Sequence, residues 1–205
     1  MKIYFRPGTC ALAPQTVLHW LGLEHEAVNA PRDDSFKAIN PSGAVPALEI
    51  APGDILTQAG AIMVYLAEVA DRPDLLGGED LRQRAEVSQW ESFFTGDFHP
   101  AFFPVFVPQR YTLNHEADSL ASVKASAENL VANGLAQIEA QLDGTDWFVG
   151  SSKTIIDAYA VPMLRWVKFA TSLDLCDWPN TQRFYDRMSD DAGIAAAMAT
   201  QGIKP

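Results

Sequence analysis

The chain has 205 residues and a formal charge of −11, from 15 basic and 26 acidic side chains. That balance leaves no basic face for a nucleic acid and would be repelled by an anionic membrane surface, and no run of about 18 apolar residues is present to span a bilayer. Two cysteines, Cys10 and Cys176, stand too far apart in unlike contexts to suggest a disulfide framework, and no signal peptide is visible, so a soluble, cytoplasmic protein is expected.

The chain opens MKIYFRPGTCALAPQTVLHWLGL. Ile3 to Phe5 are apolar or aromatic and read as a short strand, Pro7 and Gly8 as a turn. Leu12, Val17, Leu18 and Leu21 then fall near helical spacing, with Gly22 as the stop. Cys10 therefore sits where a strand hands over to a helix. Unpaired N–H groups and the positive dipole end gather there, which predicts a lowered thiol pKa. Read alone, Cys10 is a small buried hydrophobe, as most lone cysteines are.

Residues 25–30 form a candidate second strand, and a polar stretch follows with room for one short helix over 35–39. AVPALEI reads as a strand in which Pro46 must mark an end, a bulge or a cis bond. Ile55 and Leu56 continue it as a hairpin across the 52–54 turn. QAGAIMVYLAEVADRP is a strong helix, with Ile62, Leu66 and Val69 on one side. Strand, helix, strand, helix, strand, strand, helix over residues 1–76 predicts an α/β unit with a four-stranded mixed sheet. Residues 71–80, rich in Pro, Gly and Asp, form the expected linker.

From residue 77 to 205 the strand signal vanishes, and an all-helical domain is expected. A helix begins at Leu81 and is bent by the three prolines of FHPAFFPVFVP. Leu120, Val123, Ala127, Leu130 and Val131 mark a long amphipathic helix. Thr154 and Asp157 stand at capping-box spacing before a helix that carries Pro162. Two shorter helices, over 179–190 and 192–200, end the chain.

The stretches MKIYFRPGTCALAP, AINPSGAVPALEI, DILTQAGAIMVYLAE, QWESFFTGDFHPAF and TIIDAYAVPMLRW occur in this order over essentially the whole chain. In them the chain resembles the cytosolic glutathione transferases, most nearly the bacterial beta class. The resemblance implies a thioredoxin-like first domain, residues 1–76, that binds glutathione. It also implies an all-helical domain, residues 77–205, on the side of the electrophile. Cys10 and His99 then become the catalytic pair beside the glutathione sulfur. Ala44 and the cis corner Val45-Pro46 would hold the cysteinyl unit like an added strand. Gln58 and Ala59, opening the third helix of that fold, would hold the γ-glutamyl carboxylate. Asp97 would pair with the ammonium, across a dimer interface if need be. Phe102, Phe103, Phe106 and Trp166 would wall the pocket of a small hydrophobic electrophile. The implied assembly is a homodimer serving detoxification, with glutathione as co-substrate and no metal or other cofactor.

Without the resemblance these residues have plainer readings: a strand-ending proline, an ordinary helix start, a core or surface histidine, an exposed acid and core aromatics. The chain also departs from the beta-class pattern. Its segment between Val28 and Ala38 is shorter, and the lysine that contacts glutathione there has no counterpart. Ala59 lacks a hydroxyl, and Phe5 stands where a tyrosine is common, so no phenol is expected near the sulfur. Ala13, three residues after Cys10, removes the second cysteine of a redox pair. Two rivals to the transferase stay open. One is a glutathione-dependent thiol–disulfide reductase using Cys10, the other a transferase-like protein that binds without catalysis.

Overall fold

In the computed structural model, which describes residues 1–205, four strands make one mixed sheet. They are β1 (Lys2–Phe5), β2 (Glu26–Asn29), β3 (Ala47–Ala51) and β4 (Asp54–Thr57), in the spatial order β2-β1-β3-β4. β1 pairs parallel with β2 and antiparallel with β3, so Ile3 lies between Ala27 and Leu48. A parallel neighbour requires a crossover, which α1 (Leu12–Leu21) supplies. Gly22 stops that helix in the left-handed region at φ 62°, as the sequence predicts. Pro46 marks a cis peptide with Val45, and β3 begins at the next residue. The short helix expected over 35–39 is a 3-10 turn, Asp34–Ala38, whose first turn is capped by Asp33. α2 (Ala59–Val69) buries Ile62, Met63 and Leu66.

The segment 71–80 is more than a tether, because a 3-10 turn over Pro73–Leu76 buries Leu75. Helices follow to the end: α3 (Leu81–Phe93), α4 (His99–Ala101), α5 (Phe103–Phe106), α6 (Ala117–Gln141), α7 (Ile155–Ala170), α8 (Pro179–Ser189) and α9 (Ala192–Gln201). The bend after α3 differs from the expected proline bend. It begins earlier, at a π-helical turn over Phe94–Phe98, where the His99 N–H reaches back to Phe94 O. Pro100 and Pro104 fall in the first turns of α4 and α5, where a missing N–H breaks no helical bond. The expected box at α7 is present: Ile156 N–H donates to Thr154 Oγ1, and Thr154 N–H donates to Asp157 Oδ2.

One apolar cluster runs from Ile3 and Leu12 through Phe94 and Tyr159 to Met198, so both halves share a core. α1 packs against α2 of its own half and against α7 and α9 of the helical half. No helix is long and apolar enough to cross a membrane.

Candidate active site

A tight turn after β1 sets the position of Cys10. Thr9 donates to Arg6 O through both its N–H and its hydroxyl, at 3.2 and 2.7 Å. Gly8 adopts φ 75°, a conformation that a side chain would oppose. The helical half then pins the turn. Trp166 Nε1 donates to Gly8 O at 2.6 Å, and Gly8 N–H donates to Gln201 Oε1 at 2.9 Å. Cys10 Sγ donates to Val45 O at 3.6 Å, which ties the turn to the cis corner.

Cys10 is only 8 % exposed, and burial pushes its thiol up to about 12. This corrects the lowered value expected from a helix mouth. The attraction of a helix end for a negative charge is worth about 0.3–1 kcal/mol, less than one pKa unit. Desolvation of a buried thiolate costs several times that. The sulfur is therefore a protonated donor.

His99 is held among aromatic rings, with Trp166 at 5.0 Å and Phe103 at 5.1 Å between centroids. Burial pushes it down to about 4, so it is a neutral imidazole at pH 7. Its Nδ1 lies 3.3 Å from the Tyr159 hydroxyl. Burial also raises the Tyr159 phenol above its ordinary range, keeping its proton in place.

These groups share one cavity of about 710 Å³. Gln58, Ala59 and Thr95 line it, as do Cys10 with Val45-Pro46, and Arg6 with Asn40, Ser42 and Ala44. Gln58 takes φ 73°, in the left-handed region, at the position that caps α2. Strain of that kind in a side-chain-bearing residue is concentrated at functional sites. The first N–H groups of α2 have no helical partner and open beside it. Phe103, Phe106 and Trp166 supply the apolar wall.

Two expected residues lie elsewhere. Phe102 is fully enclosed, its ring packed edge-on behind Trp166 at 5.3 Å, because the π turn rotates it into the core. Asp97 is exposed in a separate concavity of about 600 Å³, beside Trp90 and Gln137. Tyr159 and Arg6 were not anticipated at all. Tyr159 brings α7's phenol to the cavity that holds Cys10, so the absence of a tyrosine at position 5 does not leave the site without one. Its place two residues after the capping Asp157 was the available signal, and for Arg6 it was direct succession to β1.

Comparison with known proteins agrees with this geometry. Residues 9–69 match the family model "Glutathione S-transferase, N-terminal domain", and residues 96–191 match "Glutathione S-transferase, C-terminal domain". The chain is 34% identical to glutathione S-transferase GST-4.5 of Xanthomonas campestris, over 99% of this chain and all of that one. A solved beta-class glutathione S-transferase of Sphingomonas chungbukensis superposes with a TM-score of 0.86 at 29% identity, covering 99% of this chain and 100% of that one. A sphingomonad glutathione S-transferase solved in complex with glutathione gives 0.86 at 30% identity, over 98% of this chain and 99% of that one.

Proposed function

The chain belongs to the glutathione S-transferase family, and we propose that its cavity binds glutathione and directs the bound thiol at a small hydrophobic electrophile. The observation that carries the reading is the convergence of Cys10, Val45, the start of α2, His99 and an apolar wall on one cavity. An extended tripeptide pairs its cysteinyl backbone with Val45, in the manner of an added strand. Its γ-glutamyl carboxylate meets the free N–H groups at the start of α2.

The sulfur then lies among neutral groups. Cys10 S–H and Tyr159 O–H both hold their protons more tightly than usual. Glutathione is therefore the thiol that ionises, and hydrogen bonds donated to its sulfur favour the thiolate. The released proton passes to solvent. The thiolate forms a bond to the electrophilic carbon, whose leaving group departs with its electron pair. Rate comes from the lowered thiol pKa and from holding both reactants in contact. The rival thiol–disulfide chemistry needs a thiolate at residue 10. The raised Cys10 pKa and Ala13 in the place of a second cysteine favour conjugation instead.

We place the protein in the cytoplasm, on its two free cysteines, and as a homodimer, on its family. Asp97, lying outside its own chain's cavity, enters this reading only through such an assembly. Calorimetric titration with glutathione and consumption of an activated aryl chloride test the whole reading. Binding and glutathione-dependent turnover are expected, with Cys10→Ala retaining conjugation to within about tenfold, since one donor among several is lost. No heat at millimolar glutathione and no turnover over a broad electrophile panel would refute it.

A further inference from the structure

Arg6 is the only formally charged side chain on the cavity wall. It follows β1, on the flank of β3 opposite β4, the strand that leads into α2, and Asn40, Ser42 and Ala44 line the same cavity. Its guanidinium is fixed in place: Nη1 donates to Gly43 O at 2.9 Å and Nη2 to Pro31 O at 2.6 Å. The Phe36 ring supports it from 5.3 Å. All of these partners are neutral, and no carboxylate of the chain pairs with Arg6 although acids outnumber bases. Two of five N–H donors are engaged, and Nε is buried without any partner. A half-buried cation left without a counter-ion is costly unless something supplies the charge.

Glutathione carries a carboxylate at each end. With the cysteinyl unit on Val45 and the γ-glutamyl end on α2, the glycine end runs toward Ala44 and Arg6. We propose that Arg6 binds the glycyl carboxylate and makes the enzyme selective for a tripeptide whose C-terminus is free. The inference rests on the glutathione reading above. The cation comes from the end of β1, whereas the beta-class pattern would supply one from the shortened segment between Val28 and Ala38. A planar guanidinium preset by two carbonyls suits two-point recognition of a carboxylate.

The test compares glutathione with its glycyl ethyl ester, by calorimetry, on the wild type, Arg6→Gln and Arg6→Lys. We expect the wild type to bind the acid about 10- to 100-fold tighter than the ester, the range of one charge-assisted contact. Arg6→Gln should bind both ligands equally, at the ester's affinity, and Arg6→Lys should recover part of the preference. Equal wild-type affinities for acid and ester overturn the proposal without needing any variant. A loss in Arg6→Gln of the same factor for both ligands also overturns it, by showing that Arg6 only braces the loop. Either result leaves the glutathione reading standing. A wild type that binds neither ligand overturns that reading and this one together.

Discussion

At residue 10 a helix end and a desolvated pocket pull in opposite directions, and the pocket wins by several pKa units' worth of energy. Cys10 therefore keeps its proton at neutral pH. Iodoacetamide should label the exposed Cys176 first and leave Cys10 unmodified, with Cys10 labelling rising about tenfold per pH unit in alkaline buffer. Peptide mapping by mass spectrometry reads this directly, and Cys10 fully labelled at neutral pH would contradict the burial argument. His99 gives a second expectation, in acid. Its ordinary value is 6.5 and burial pushes it down to about 4. Between those values the unfolded chain binds a proton that the folded chain does not, so stability falls as pH falls. The His99→Phe variant should therefore lose less stability than the wild type from pH 7 to pH 5, by about 2 kcal/mol in urea titrations. Asp157, raised to about 6 by burial, acts with the opposite sign: its contribution is lost as pH rises through that value. It is present in both proteins and cancels in the difference. Equal slopes for variant and wild type would remove His99 from the buried set. Sequence alone locates Cys10 and the corner at Val45-Pro46, because a turn and a proline are local signals. Arg6 and Tyr159 escape it, since what each faces is decided by segments 25 or more residues away: Arg6 reaches Pro31 and Gly43, and Tyr159 reaches His99.

Among the elements, the π turn over Phe94–Phe98 does most to place the chemistry, because His99 follows it directly. An inserted residue shifts the helical phase, turning Phe98 toward α6 and Phe102 into the core. α6 answers with Gly134: a Cβ there would run into the Phe98 ring. Gly134→Ala should overpack this contact and cost about 1–3 kcal/mol, a fall in Tm of about 3–10 °C for a chain of this size. Glutathione conjugation should fall with it, since the displaced ring lies one residue from His99. Gly96, inside the turn, faces open space, so Gly96→Ala should leave Tm nearly unchanged. Thermal melts of the two variants side by side decide the matter, and equal shifts would mean that the Phe98 contact does not hold the turn. The prolines of this region were legible as punctuation, but the phase shift was not. A π turn has no residue signature, and these prolines occupy first-turn positions where they follow a bend instead of making one.

For the whole molecule, the sequence separates an α/β half from a helical half, and both are present; their fusion was the illegible part. Every residue from Leu12 to Leu18 is buried, which an amphipathic helix on one sheet would not produce. α7 and α9 both pack against α1. Trp20 Nε1 donates to Asp191 Oδ1 at 2.6 Å, over a Gly193 whose missing side chain makes room for the indole. Gln201 Nε2 donates to Gln15 Oε1 at 2.5 Å, and the same Gln201 takes the Gly8 N–H of the cysteine turn. Exposing a buried Leu or Val costs about 1.5–3 kcal/mol each, so stripping α7 and α9 from α1 would cost a sum comparable with the 5–15 kcal/mol that holds a typical domain together. A chain ending at Leu76 should consequently fail to fold, giving a disordered circular dichroism spectrum. In the full chain, tryptophan fluorescence and far-ultraviolet circular dichroism should share one urea midpoint, although two-part chains commonly unfold in steps. Two separated transitions, or a folded 1–76 fragment, would show that the shared core is weaker than its burial implies. One transition would instead mean that the turn carrying Cys10 is only as stable as the C-terminal helix beneath it, so Gln201→Leu should lower Tm and slow conjugation together.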